Sequence, residues 1–322
     1  MTDLTVFKPA ARFGQKHLVS LFDYSQNDIL CILSLALKLK KQFKRGVRPP
    51  LLKGKILAMI FAKSSTRTRV SFEAGICQLG GAAQFLSKND IQLGRGETIS
   101  DTAKVLSRMV DGIMIRTFAQ SDVEQLAKHG AIPVINGLTD LLHPCQALAD
   151  LLTYYEYRRG FSGKLAYIGD GNNVANSLLV ICAKLGLDIT AACPKGFEPS
   201  GEALEGARQA ARQSGARVVV TADPKEAAEN ADAIYTDVWA SMGEEDGAEQ
   251  KRKHFNGYQV NKNITKYCKE DYIFMHCLPA HRGEEVSAEI IDGRHSVVFD
   301  EAENRLHAQK AVMALLMGGK NK

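Results

Sequence analysis

The sequence predicts an α/β protein of two domains, each a mostly parallel sheet with helices on both faces. Short apolar runs alternate with helix-like patterns along nearly the whole chain, the signature of strand–helix–strand units. The 322 residues also exceed what a single core commonly holds. A third observation is an echo: "KGKILAMIF" at 53–61 and "SGKLAYIGD" at 162–170 each stand where the first strand of a domain would open.

Residues 25–44 read as an amphipathic helix, with Ile29, Leu30, Leu33, Leu37 and Leu39 among its apolar positions. In the first half, strands are expected at about 55–61, 82–86, 111–116 and 131–135, with helices near 66–79, 100–109, 120–129 and 144–158. In the second, strands are expected at about 164–168, 187–192, 217–221, 232–236, 272–276 and 296–299. Helices are expected there near 172–185, 201–213, 224–230 and 301–317. The polar segment 241–262 reads as a loop carrying a short helix. The break between halves falls near Arg158-Arg159-Gly160-Phe161-Ser162-Gly163.

Composition narrows the function. Apolar residues make up 45% and charged residues 24%, as in ordinary globular proteins. The formal charge of +5 is too thin over this length to argue for nucleic acid, and "LKLKKQFKRG" (37–46) is the solvated face of a helix. Seven scattered cysteines without a CxxC favour reduced thiols in a cytoplasmic setting over a zinc site or disulfide framework. No apolar run approaches a membrane span, and "MTDLTVFKPAARFGQKH" lacks the apolar core of a secretory signal.

Ligands of open α/β sheets bind beyond the carboxyl ends of the strands, so motifs that directly follow strands are the candidates. "KSSTRTR" (63–69) puts two arginines at a helix start, the wrong end for cations given the helix dipole. An anion there resolves the conflict: backbone amides, the hydroxyls of Ser65, Thr66 and Thr68, and the guanidinium of Arg67 would converge on a phosphate. The bland reading is a hydroxyl cap with solvated arginines. Arg116 ends a strand, where a lone arginine is ordinarily a surface charge. "HPCQ" (143–146) opens a helix with Pro144 at its first position; His143 and Gln146 could donate to a carbonyl oxygen, or simply start a helix. "IGDGNNVANS" (168–177) fails the dinucleotide fingerprint, because Val174 occupies the third glycine's place and the acidic ribose ligand is missing. Asn172 and Asn173 could instead hold a polar small molecule. Asp237 and Cys277 each lie just past an apolar strand, where an acid could hold an ammonium group and a thiol could pack, hydrogen-bond or attack; buried inert cysteine is the commoner state.

Together "SSTRTR", "HPCQ", "DVWASMG", "HCLPAHRGEEV" and "FDEAENRLHAQKAVMALL" occur in the order and spacing of the transcarbamylases. The chain resembles the ornithine carbamoyltransferases over nearly its whole length, from "HLVSLFDYS" (17–25) to the last helix. The resemblance implies a carbamoyl-phosphate-binding domain at 1–150, completed by the C-terminal helix (about 301–322), and an ornithine-binding domain at 151–300. It implies that Ser65, Thr66, Arg67 and Thr68 hold the phosphate of carbamoyl phosphate. Arg116, His143 and Gln146 would complete that pocket, with Arg116 and His143 near the carbonyl oxygen and counted, with Cys277, as catalytic. Gln92 would reach a neighbouring subunit's site. Asn173, Asp237, Ser241 and Met242 would bind L-ornithine, with Asn172 as the alternative to Asn173. Cys277, Leu278 and Arg305 would close around the reacting groups. The family assembles as a trimer with active sites between subunits and needs no metal or organic cofactor. The expected reaction is attack of the neutral ornithine amine on carbamoyl phosphate, giving citrulline and phosphate. The competing expectations are a transcarbamylase for another amine, such as putrescine or an acetylated ornithine, and a non-catalytic anion- or nucleotide-binding α/β protein.

Overall fold

A computed structural model describes residues 3–9, 13–92, 96–240 and 247–318, without the side chain of Ala248. Its contacts divide the chain into two compact units: one is Thr153–Glu303, the other Asp3–Leu152 together with the chain from Asn304 onward.

In the unit formed by the two chain ends, α1 (Gln26–Lys44) is followed by β1 (Ile56–Phe61), α2 (Thr66–Gln78), β2 (Ala82–Ser87) and α3 (Ile99–Leu106). Next come β3 (Gly112–Arg116), α4 (Gln120–His129), β4 (Val134–Leu138) and α5 (Pro144–Arg158), whose residues from Thr153 on belong to the other unit. The four strands pair in parallel in the order β2-β1-β3-β4. Ala58, Ile60, Ile113, Ile115 and Val134 pack with Ala103, Val123 and Leu126 of the helices, and the parallel pairing sends every strand's carboxyl end to one edge. α1 opens with a capping box on Ser25, whose hydroxyl accepts from the Asp28 amide.

The other unit runs β5 (Lys164–Ile168), α6 (Asn173–Leu185), β6 (Asp188–Ala192), α7 (Gly201–Ser214), β7 (Val218–Thr221), α8 (Pro224–Ala228) and β8 (Ala233–Tyr235). It continues through α9 (Ala248–His254), α10 (Lys262–Thr265), β9 (Ile273–Met275), α11 (Ala288–Ile291) and α12 (Val298–Met317), whose later turns belong to the first unit. Its five strands are parallel in the order β7-β6-β5-β8-β9. The parallel-sheet α/β class expected from the sequence is what the structure has.

Two local expectations are corrected. The strand expected at about 296–299 is a single bridge from Ser296 to Phe274. Val298 already begins α12, because the acid-rich "DEAEN" that follows makes a good helical first turn. β4 also starts three residues later than expected. Pro133 has no amide to give a ladder, and the strand runs on through Asn136-Gly137, a pair that reads as a turn in sequence.

Both sheets reverse direction once. Strand order changes hand between β1 and β3 in one and between β5 and β8 in the other. Those switch points leave a crevice at the strands' carboxyl ends where ligands ordinarily bind.

Candidate active site

The first switch point lies between the stretch after β1, which carries Ser65–Thr68, and the end of β3, which carries Arg116. Ser65 is the N-cap of α2, and its Oγ accepts from the Thr68 amide at 3.2 Å. The first turn of α2 holds no acid to compensate the amide ends, so this N-terminus keeps its positive potential. Thr66 is exposed and Arg67 half-buried. Arg67 Nε is buried without a hydrogen-bond partner. Arg69 faces away from this group: it pairs with Glu73 at 3.5 Å and lies over the Phe85 ring at 3.8 Å.

Thr68 is fully buried. Its hydroxyl oxygen accepts from Ser65 at 3.0 Å and from Arg305 of α12 at 2.7 Å, which leaves its own proton to donate. The second Arg305 nitrogen donates to Gln146 Oε1 at 3.0 Å, and Gln146 Nε2 donates to Asp150 at 2.8 Å. Arg116, His143, Gln146 and Arg305 are each at most 4% exposed. Burial, and then the charges of Arg305, Arg116 and Arg67, hold the His143 imidazole well below its usual pKa. It is therefore neutral at pH 7 and can donate one N–H as an uncharged group. Three guanidiniums around a neutral imidazole, at a helix N-terminus, make a strong anion site. Cys145, beside it, donates to the Asn136 carbonyl, and burial pushes its thiol up to about 12, so it packs rather than reacts. Gln92 is exposed.

The second switch point has a different chemistry. Gly171 is required where β5 ends: a Cβ there would come within 2.3 Å of the Glu198–Pro199 backbone. Asn172 then caps α6, accepting from the Val174 and Ala175 amides at 2.9 and 3.2 Å. Its amide nitrogen donates to Asp237 Oδ2 at 2.8 Å. The other Asp237 oxygen accepts from the Val238 amide at 2.8 Å and from the Cys277 thiol at 3.0 Å. Asp237 is buried, while Cys277 and Asn173 are half-buried. Asn172 is thus the residue that orients Asp237, and Asn173 is the first residue of the helix. Ser241 and Met242 lie outside the described residues.

Sequence reasoning passed over the support behind Cys277. His276 and Glu285 are fully buried. The Leu278 amide donates to His276 Nδ1 at 2.9 Å, so the ring proton sits on Nε2 and is given to Glu285 at 3.1 Å. Glu285 also accepts from the His281 amide, and these bonds outweigh its burial to hold its pKa below the ordinary value. Leu278, at φ +57, takes a left-handed conformation unusual for a branched residue, pinned by that amide bond. Glu301 accepts from the His276 amide at 2.9 Å and from the Tyr235 hydroxyl at 3.2 Å. The signal was present in "HCLPAHRGEE", whose acids follow a histidine at short range. Asp237, His276 and Cys277 could bring ligand atoms within 4.8 Å of one another, but both His276 nitrogens and the Cys277 sulfur are already engaged.

Two parallel α/β units, one with an anion cradle and the other with a buried carboxylate and thiol, define a class of protein suited to a small anionic ligand and a second polar one, without the glycine fingerprint of a dinucleotide site. Comparison with known proteins names the family. Residues 16–156 match the carbamoyl-phosphate-binding domain of the aspartate/ornithine carbamoyltransferases, and residues 162–316 match their aspartate/ornithine-binding domain. The chain belongs to the aspartate/ornithine carbamoyltransferase family. It is 59% identical over 303 residues to the ornithine carbamoyltransferase of Oceanobacillus iheyensis, covering 94% of each chain. It is 56% identical to that of Pyrococcus abyssi, covering 94% of this chain and 96% of the relative. Among solved structures, ornithine carbamoyltransferase from Pyrococcus furiosus superposes with a TM-score of 0.94 at 54% identity, over 97% of this chain and all of the other. The anabolic enzyme from Campylobacter jejuni gives 0.89 at 44% identity, over 94% and 99%.

Proposed function

We propose that this chain transfers the carbamoyl group of carbamoyl phosphate to the side-chain amine of L-ornithine, releasing L-citrulline and phosphate. The observation that carries the reading is the gathering of Arg67, Arg116 and Arg305 around a neutral His143 at the N-terminus of α2. No acid stands in that helix's first turn, so the group suits an acyl phosphate of high negative charge. The names of the similar proteins, ornithine carbamoyltransferases, support ornithine as the second substrate, and the buried Asp237 carboxylate with its Cys277 partner suits an amine.

Carbamoyl phosphate is already activated by its leaving group, so the reaction asks the protein for positioning and charge stabilisation rather than a metal or cofactor. Ser65, Thr66, Arg67 and Thr68 hold the phosphate. The neutral amine attacks the carbonyl carbon, and the negative charge of the tetrahedral intermediate meets Arg116, His143 and the Thr68 hydroxyl. Phosphate then leaves into the cradle and takes the amine's proton. Gln146 holds Arg305 in place, and Arg305 holds Thr68. Asp237 and Cys277 orient the amine, with no covalent bond to sulfur. Asn173, Ser241 and Met242 complete the ornithine side, and Leu278 the carbamoyl side. Orientation of two bound reactants can supply roughly 7–11 kcal/mol.

The finer context follows the same reading. The domains are 1–150 with the C-terminal helix for carbamoyl phosphate, and 151–300 for ornithine. Citrulline formation suits arginine metabolism, in the biosynthetic direction. Seven cysteines, all free, suit the cytoplasm, and no described helix is long and apolar enough to cross a membrane. The assembly is a homotrimer in which Gln92 serves a neighbour's site. A colorimetric citrulline assay with and without ornithine tests the reading. Citrulline that depends on both substrates is expected, and its absence, or equal turnover of putrescine, would refute it.

A further inference from the structure

Lys63 precedes the phosphate-binding stretch and has no role in the reading above. Its side chain is only 9% exposed, yet it pairs with Asp140, whose side chain is 60% exposed. The same ammonium lies 4.2 Å from the centroid of the Phe118 ring. Each partner belongs to a different loop at the carboxyl edge of one sheet. Lys63 is two residues before Ser65, Phe118 two after Arg116, and Asp140 three before His143. The backbone links the same loops: the Ala62 amide donates to the Arg116 carbonyl and the Asp140 amide to the Phe118 carbonyl, both at 2.8 Å. An ion pair on open surface contributes little. Here the cation is withdrawn from solvent and rests on an aromatic face, and it ties the three loops that carry the hydroxyl cap, the strand-end arginine and the imidazole.

We propose that Lys63 is a positioning residue, a latch that sets the spacing of these three loops through Asp140 and Phe118. The inference rests on reading that group as the carbamoyl phosphate cradle. The competing role for Lys63 is a further positive charge acting on the anion through space. The two make opposite predictions. A charge effect weakens anion binding when Lys63 is neutralised and strengthens it when Asp140 is. A latch is broken from either end, so both changes weaken binding.

The test is titration calorimetry of the full-length enzyme with inorganic phosphate, alongside steady-state kinetics, for Lys63→Met, Lys63→Arg, Asp140→Asn and the Lys63→Met/Asp140→Asn pair. Lys63→Met and Asp140→Asn should each weaken phosphate binding about tenfold and raise KM for carbamoyl phosphate in step, with KM for ornithine within about twofold of wild type. The pair should be no weaker than Lys63→Met alone, because residues that share one interaction are not additive. Lys63→Arg should recover most of the affinity. Tighter or unchanged phosphate binding in Asp140→Asn would overturn the latch, as would additive losses in the pair. Should Lys63→Met fail to fold, Asp140→Asn alone decides, since it changes one atom of an exposed side chain. A wild-type enzyme that binds no phosphate and makes no citrulline would refute the parent reading instead.

Discussion

Arg67 shows how a residue's placement conflicts with local rules and what resolves the conflict. A cation in the first turn of a helix meets the positive end of the dipole, and its buried Nε has no partner. A bound phosphate would satisfy both. Losing one charge-assisted hydrogen bond costs about 1.5–3 kcal/mol, so Arg67→Ala should weaken carbamoyl phosphate binding by one to two orders of magnitude. Near-normal kinetics at low carbamoyl phosphate would remove Arg67 from the site. Cys277 poses a subtler case. Its thiol donates to Asp237 at 3.0 Å, so it shapes the carboxylate proposed to meet the amine. The ornithine side chain should titrate like lysine, near 10.4, and only its neutral form attacks. The rate at subsaturating ornithine should therefore climb from pH 6 to 9. Cys277→Ser should keep phosphate binding but lose ornithine affinity and rate. A flat wild-type profile with chemistry rate-limiting would refute the neutral-amine account, and a Cys277→Ser enzyme with wild-type kinetics would leave the thiol as packing.

Elements were legible wherever period and punctuation agreed. α2, α4 and α5 fall within a residue of the expected spans; Ser65 caps α2 and Pro144 opens α5, while α4, uncapped at Ala119, shows itself by the buried Val123 and Leu126 on one face. Where local cues and tertiary structure disagreed, tertiary structure won. "SVVF" has the β-branched look of a strand, but only Ser296 finds a strand partner before α12 begins. The strand-end motifs were legible one by one; their union was not. Arg305 reaches Thr68 across 237 positions and Gln146 across 159, and no local pattern encodes that. The Asn172–Asn173 pair stayed open in sequence because either residue could cap or bind; the cap geometry assigns Asn172 to Asp237. β4 carries a measurable consequence. Its first amide, Val134, donates to His17 Nδ1 at 3.1 Å, and burial, then the Lys16 charge, lowers that imidazole from 6.5 to about 4. The folded protein thus binds His17's proton less readily than the unfolded chain does. The contribution to stability is intact above about pH 6.5 and is lost as pH falls toward 4. His17→Asn, which keeps an acceptor for Val134, should flatten the pH dependence of the urea midpoint across that window. An unchanged slope would show that other groups govern acid sensitivity.

At the scale of the whole molecule, Gln92 is exposed, which leaves it accessible for the proposed service to a neighbouring subunit. If it does so, mixing inactive Gln92→Ala and inactive Arg67→Ala enzymes under subunit exchange should regenerate some activity, because some sites then hold one intact residue from each parent. No recovery despite demonstrated exchange would count against shared sites, and a fully active monomer would exclude them. The division of the chain has another consequence. The unit bearing the anion cradle is built from both ends of the sequence, Asp3–Leu152 and the residues from Asn304 onward. Arg305, which bonds both Thr68 and Gln146, is therefore made only after the whole of the other unit. The unit whose core is continuous in sequence, Thr153–Glu303, can fold as it emerges. The cradle cannot close until the chain has been made through Thr153–Glu303 and on to Arg305, so a nascent chain that stops short of Arg305 carries no finished anion site, and binding competence itself reports that synthesis has passed the whole of the intervening unit.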